Sequence, residues 1–265
     1  VTERRFSDDA FPVVVAHRGA SSTHPENTLP SFEAALGLGA QVVELDVRLS
    51  ADGVPVVMHD AEVSRTTDGN GLVHELTSEE LSRLDAGTPE HPAKVPMLAE
   101  VLELVSGRGS VALEIKNIPG DPGYDPEREE IVEAALAEVE RTAFVGAVLV
   151  LSFNPRSLAA AKTIAPGVPT GFLTKLPLRP YDALEHVLEA GHDFVLPGSR
   201  ALIPAGPSFV REAHEAGIRV GTWTVDDPET VRLLFDRGVD VVASNDPGMA
   251  VGVLARWRSR TAGGG

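Results

Sequence analysis

Residues 181–197, YDALEHVLEAGHDFVLP, then 208–225, SFVREAHEAGIRVGTWTV, and 228–243, PETVRLLFDRGVDVVA, decide the fold. Each opens on an amphipathic helical pattern, passes through one glycine (Gly191, Gly217, Gly238) and ends in a short apolar run. A glycine after the last helical turn takes the left-handed cap conformation without steric cost. An apolar run bounded by Gly, Pro or Asp reads as a strand buried on both faces, as parallel strands are. Three successive helix–Gly–strand units therefore predict a βα rhythm.

Working outward, the same runs recur to the N-terminus. Strands are expected at Val13–His17, Val42–Val47, Val54–His59, Val111–Lys116, Val148–Phe153, Pro169–Leu173, Asp193–Pro197, Arg219–Val225 and Asp240–Ala243. Glu127–Thr142 is the clearest helix, with Ile131, Val132, Ala135, Leu136 and Val139 on one face. One connection breaks the rhythm: only Ser50-Ala51-Asp52-Gly53 separates two strands, and Asp-Gly is a hairpin signal. With Asp52-Gly53 as the turn, Ala51 faces Val54 and the register sets His59 directly opposite Asp46. Nine strands minus this return strand leave eight. The prediction is a (β/α)8 TIM barrel over residues 1–265 as one domain, with a small insertion after the third strand at about 60–97. Within the insertion, Thr77 followed by Glu80 is a capping box. Gly263–Gly265 is expected to fray.

The 265 residues carry 23 Lys+Arg against 39 Asp+Glu, a formal charge of −16, and no cysteine. Disulfides, thiolate metal sites and thiol nucleophiles are excluded. So excess an acidity argues against nucleic acid or an anionic membrane as partner. No apolar run reaches the roughly 20 residues of a spanning helix. The polar start, Val1–Phe11, is unlike a signal peptide, so a cytoplasmic location is expected; a removed leader is left open because the chain begins with Val. Oligomeric state is not legible.

Barrel enzymes place their sites at the C-terminal strand ends. There the sequence sets His17-Arg18, Glu44-Leu45-Asp46, His59-Asp60, Glu114-Ile115-Lys116 and, late in a strand, Trp223. Strand side chains alternate, so Glu44 and Asp46 share one side, as do Glu114 and Lys116. With the apolar set turned to the helices, three carboxylates face the barrel interior and repel one another. A divalent cation resolves that repulsion, and all-oxygen ligands favour hard Mg²⁺ or Ca²⁺, with Mn²⁺ possible, over Zn²⁺. Taken singly, each feature has a plainer reading. A Glu-x-Asp strand is commonly a solvated face, a strand-end His a core residue, Arg18 and Lys116 salt-bridge partners, and Trp223 and Trp257 core aromatics. The conjunction on the first four strands is what points to chemistry.

Ala16-His17-Arg18-Gly19, Pro25-Glu26-Asn27-Thr28-Leu29, Glu44-Leu45-Asp46-Val47, Val56-Val57-Met58-His59-Asp60, Arg65-Thr66-Thr67, Leu113-Glu114-Ile115-Lys116, Ser152-Phe153 and Trp223-Thr224-Val225 together resemble the glycerophosphodiester phosphodiesterase family. The resemblance runs in order from Ala16 to Pro247. It implies a TIM barrel that hydrolyses glycerophosphodiesters to glycerol 3-phosphate and an alcohol with one divalent ion. It assigns Glu44, Asp46 and Glu114 to the metal and His17 and His59 to general acid–base catalysis. Arg18 and Lys116 would bind phosphate, Trp223 and more weakly Phe153 would line the glycerol pocket, and Asn27 would support the site from behind. Asn245-Asp246-Pro247 departs from the family's Thr-Asp-x-Pro, which removes any contact from a Thr hydroxyl. Ala93-Lys94-Val95-Pro96 varies a part of the insertion tied to substrate selection. His17 is preferred as base and His59 as acid; water and the substrate's own 2-hydroxyl both stand as nucleophile. The partner is then a small diester, with no stable membrane association. The alternative is a lysophospholipase D-like enzyme on lipid, using Leu72, Val73, Leu76, Leu81 and Leu84 as an apolar ridge. A sugar isomerase needs no Arg18/Lys116 clamp, and a catalytically dead binding protein needs no intact acid–base pair.

Overall fold

The computed structural model describes residues 10–262. The expected frayed Gly263–Gly265 and most of the polar start lie outside the described residues.

Eight parallel strands close on themselves: β1 (Val13–His17), β2 (Val42–Leu49), β4 (Ser110–Ile115), β5 (Val148–Ser152), β6 (Thr170–Thr174), β7 (Phe194–Pro197), β8 (Arg219–Thr222) and β9 (Val241–Ser244). β1 pairs with both β2 and β9, which seals the TIM barrel. Helices α1 (Leu29–Gly37), α3 (Leu98–Val105), α4 (Glu130–Arg141), α5 (Pro155–Ile164), α6 (Pro180–Ala190), α7 (Ser199–Glu215), α8 (Pro228–Asp236) and α9 (Pro247–Ala262) surround it. Local chemistry sets their ends. Asn154 and Asp227 cap α5 and α8 by side-chain acceptance, each followed by a proline at the first helical position. Gly191, Gly217 and Gly238 all hold positive φ, at 68°, 78° and 82°, as the helix–Gly–strand pattern requires. The expected helix at 208–216 is the second half of α7, which breaks at Gly206 between Pro204 and Pro207. Those prolines hid the first half from sequence reading.

Two apolar cores follow from strand alternation. Outward residues such as Val43, Leu45, Val47, Leu113 and Ile115 pack against the helices. Inward residues such as Val15, Val42, Ala112, Leu149, Leu196 and Val241 fill the lower barrel.

β3 (Pro55–Val57) runs antiparallel to β2, so the hairpin forms, but its register differs from expectation by one residue. Val47 faces Val57, and Met58 rather than His59 stands opposite Asp46, donating its N–H to the Asp46 carbonyl at 2.9 Å. The cause is a three-residue loop: Ser50 pairs with Val54 and Gly53 takes φ 78° to close it. Asp52 then turns away from the barrel and accepts from Ser78 N–H and Oγ, both at 2.7 Å.

Residues 60–97 fold over one side as two 3-10 turns, Val63–Arg65 and Val73–Glu75, and the short helix α2 (Ser78–Arg83). The capping box of Thr77 and Glu80 is formed. Val63, Val73, Leu81 and Val95 are buried with Val56 and Met58 in a third small core, against which Leu76 and Leu84 pack. The insertion leucines are thus largely used internally. No helix among the described residues is long and apolar enough to cross a membrane.

Candidate active site

The upper ends of β1, β2 and β4 bring the charged side chains together inside the barrel. Glu44, Asp46 and Glu114 are buried at 3%, 0% and 6% exposure, and one carboxylate oxygen from each lies within 4.8 Å of the others. The β1–α1 turn wraps around them. Arg18 holds φ 57° and Gly19 φ 84°, and a Cβ on Gly19 would meet Ser31 Oγ at 2.3 Å, so the turn packs directly on the start of α1. This shape aims the Arg18 N–H at Glu44 Oε2 (2.9 Å) and brings its guanidinium 3.1 Å from Asp46. Asn27, also at positive φ, donates to Asp46 Oδ2 at 2.7 Å and so supports the site from behind. Lys116 bridges Asp46 at 2.8 Å and Glu114.

The three acids are not equivalent. Burial pushes the Glu44 carboxyl well up, and the charges of Asp46 and Glu114 push it further. Burial likewise raises Glu114 against the opposing Lys116. Burial works the same way on Asp46, yet Lys116, Arg18 and His59 together hold it below the carboxylate range. Glu44 Oε1 is buried without a hydrogen-bond partner. A hard cation fits here: the donors are all oxygen, one is unsatisfied, and bound positive charge would relieve a triad that two cations only partly neutralise.

The two histidines flank this cluster in contrasting surroundings. His17 Nδ1 lies 2.8 Å from the amide oxygen of Asn245. His59 Nδ1 lies 2.5 Å from the Asp60 carboxylate. Burial lowers both imidazoles. The next influence on His17 is the Arg18 cation, which lowers it further, while on His59 it is the Asp46 anion, which opposes the fall. Asp60, though burial opposes it, is held at about 2 by Arg65 and His59. Arg65 also grips Glu26 at 2.7 and 3.0 Å, tying the insertion to the β1–α1 turn.

These groups open into a cavity of about 400 Å³ whose floor is Val15, Ala112, Leu149, Leu151 and Val241. Trp223 lines it with the indole N–H committed to the Leu196 carbonyl at 3.0 Å, and Phe153 meets the ring edge-on at 5.3 Å. All eight residues singled out from sequence therefore meet in or around one cavity, with Asp46 beneath it. Residues 62–97 supply none of its lining, so the expected link between 93–96 and substrate selection has no contact behind it: Lys94 instead holds the Arg83 carbonyl.

Sequence reading missed Arg48, Asp121 and Lys175. Arg48 donates to the His59 carbonyl and to Asp121, both at 2.8 Å. Its signal was present, since 44, 46 and 48 share a strand face. Lys175 lies 5.7 Å over Phe153 at the cavity edge, from a loop with no motif. Asn245, noted only as a departure, supplies an amide where a Thr hydroxyl was the family expectation.

Comparison with known proteins bears on the family and the fold. The model of the glycerophosphoryl diester phosphodiesterase family matches residues 17–249. A glycerophosphodiester phosphodiesterase of Caldanaerobacter subterraneus subsp. tengcongensis is 35% identical, over 92% of this chain and 98% of its own. A glycerophosphodiester phosphodiesterase of Bacillus altitudinis is 32% identical, over 90% and 96%. The structure of an Oleispira antarctica phosphodiesterase in complex with the product sn-glycerol-3-phosphate superposes with a TM-score of 0.83 at 29% identity, covering 93% of this chain and 98% of that one. By its sequence, its closed barrel and the match across almost its whole length, the chain belongs to the glycerophosphoryl diester phosphodiesterase family of phosphoric diester hydrolases.

Proposed function

We propose that this protein hydrolyses small glycerophosphodiesters to glycerol 3-phosphate and an alcohol, with His17 as general base, His59 as general acid and one divalent cation held by Glu44, Asp46 and Glu114. The observation that carries the reading is the pair of imidazoles, one against an amide and the other against a carboxylate, flanking one buried carboxylate triad. When bound, Mg²⁺, Ca²⁺ or Mn²⁺ there would offset negative charge gathering on the non-bridging phosphate oxygens.

The chain's own groups do the rest. Arg18 and Lys116, fixed at the triad, orient the phosphate and share in neutralising it. His17 removes the proton from the attacking hydroxyl, whether of water or of the substrate's own glycerol. His59, whose Nδ1 faces the Asp60 carboxylate, has an anion on the ring to offset part of the fall that burial causes, and it protonates the leaving oxygen. Trp223 and Phe153 offer the apolar wall for a glycerol backbone. Without a cation the triad would leave the mouth short of positive charge, so a cation held by Glu44, Asp46 and Glu114 would favour binding of the anionic diester. Packing of Val73, Leu76, Leu81 and Leu84 into the insertion core leaves the lipid-ridge alternative without support.

The test is a panel of glycerophosphodiesters, water-soluble and acylated, assayed for glycerol 3-phosphate. Turnover of glycerophosphocholine or its soluble relatives is expected. Turnover of acylated diesters alone would overturn the reading.

A further inference from the structure

His17 is held by a chain of groups that reaches across three neighbouring strands. Its Nδ1 faces Asn245 Oδ1 at 2.8 Å, just past β9, and an amide oxygen only accepts. The proton of the neutral ring therefore sits on Nδ1 and the lone pair on Nε2.

The amide is itself held in one orientation. Asn245 Nδ2 donates to Asp226 Oδ2 at 2.7 Å, in the loop between β8 and α8. Asp226 Oδ1 accepts from the Asn245 N–H at 2.8 Å and from Ser244 Oγ at 2.9 Å. Ser21 Oγ, donating to the His17 carbonyl at 2.8 Å, stands 3.0 Å from Asn245 Oδ1. An ionised carboxylate has no proton to give, so reversing the amide would set two acceptor oxygens 2.7 Å apart and point an NH2 group at His17.

We propose that Asp226, acting through Asn245, locks His17 in the Nδ1–H tautomer and so keeps Nε2 available to accept the proton. The proposal deepens the reading of His17 as general base and rests on it. Asp226 and Asn245 are positioning residues. The arrangement also explains why His17 and His59 need different neighbours. A carboxylate directly on the ring, as Asp60 is on His59, stabilises the charged imidazolium. An interposed neutral amide sets the tautomer without adding an anion at the ring.

The substitution Asp226→Asn tests the lock. Its oxygen still accepts from Ser244 and the Asn245 N–H, but its new NH2 group faces Asn245, whose amide must turn over to accept. His17 then meets a donor and shifts to Nε2–H. Long-range ¹H–¹⁵N NMR of ¹⁵N-histidine-labelled protein reads the tautomer directly, and assay on glycerophosphocholine is expected to show kcat lowered about 100-fold with KM little changed, the scale of one general base. The double variant D226N/N245D exchanges carboxylate and amide, restores an acceptor to Nδ1, and is expected to recover the Nδ1–H tautomer of the neutral ring. Asn245→Leu, which leaves the Asp226 bonds to Ser244 and the 245 N–H in place, is the second variant should D226N fail to fold; His17 is expected to lose its Nδ1–H preference. A ring that stays Nδ1–H in D226N or N245L, or that is not restored in the double variant, overturns the lock. A tautomer that switches while kcat holds supports the lock and overturns the reading of His17 as base.

Discussion

The interior of this barrel is two environments stacked on the same strands. Low in the barrel the inward positions are Val15, Val42, Ala112 and Ala243, joined by Leu149 and Phe194. Two residues further along each strand the same face carries His17, Glu44, Glu114 and Asn245, and two more bring Asp46 and Lys116. Nothing in the backbone changes between the two levels, since the parallel pairing of β2 with β4 runs unbroken from Val42 to Val47. The lower level is a close-packed plug that fixes strand positions. The upper level holds at least seven ionisable or amide groups at hydrogen-bond distances set by that plug. The packed plug and the proposed catalytic groups thus sit a few ångströms apart, and substitutions at the two levels should separate stability from activity.

The largest effect is expected at the upper level. His17→Ala or His59→Ala should lower kcat on glycerophosphocholine by about 10²–10⁴-fold or more while leaving the thermal unfolding midpoint nearly in place. Turnover like wild type in either variant would break the division. At the lower level the reverse is expected. Phe194→Ala, which empties a buried ring that packs against Phe11, should cost about 3–5 kcal/mol of stability by denaturant titration, with the folded fraction keeping its kcat. A selective loss of kcat there would show the plug to be part of the site.

Glu44→Gln sharpens the contrast further. Removing one charge from a buried acidic cluster should leave the metal-free protein as stable or more so. It should also abolish the added stability that Mg²⁺ confers on wild type, about 2.7 kcal/mol at a hundredfold excess over Kd. A metal-induced rise in Tm that survives the substitution would place the cation elsewhere.

A smaller effect is expected at the barrel's foot. Buried His192 bonds Thr170 Oγ1 at 2.9 Å, and burial, then the charges of Lys162 and His186, lower its pKa to about 4. The unfolded chain then binds a proton that the folded one refuses. Stability should therefore fall as pH drops from 6.5 toward 4, and His192→Gln should flatten that slope. An unchanged slope would assign the acid sensitivity to other groups.

What the sequence revealed follows from which features are periodic. Strand alternation exposed the upper level of the barrel, because Glu44 and Asp46 alternate with Val43 and Leu45 on the helix-facing side; the apolar plug below was not read from it. The glycines closing α6, α7 and α8 marked the βα units. Features set by loops were not legible. Whether two or three residues close the β2–β3 hairpin depends on Gly53 adopting φ 78°, and that single choice moved Met58 rather than His59 opposite Asp46. The Asp226–Asn245–His17 chain joins residues 19 and 228 positions apart and has no local signature. Arg48 was readable on the Glu44–Asp46 face and was passed over; Lys175 was not.

One divalent cation at Glu44, Asp46 and Glu114 is proposed to work with His17 and His59 on a glycerophosphodiester. The direct test strips the protein with chelator, verifies metal content, and follows glycerol 3-phosphate release from glycerophosphocholine as Mg²⁺, Ca²⁺ or Mn²⁺ is added back. Activity should be lost on stripping and return with at least one of these ions in wild type but not in Glu44→Gln. Full activity in verified metal-free protein would contradict the account.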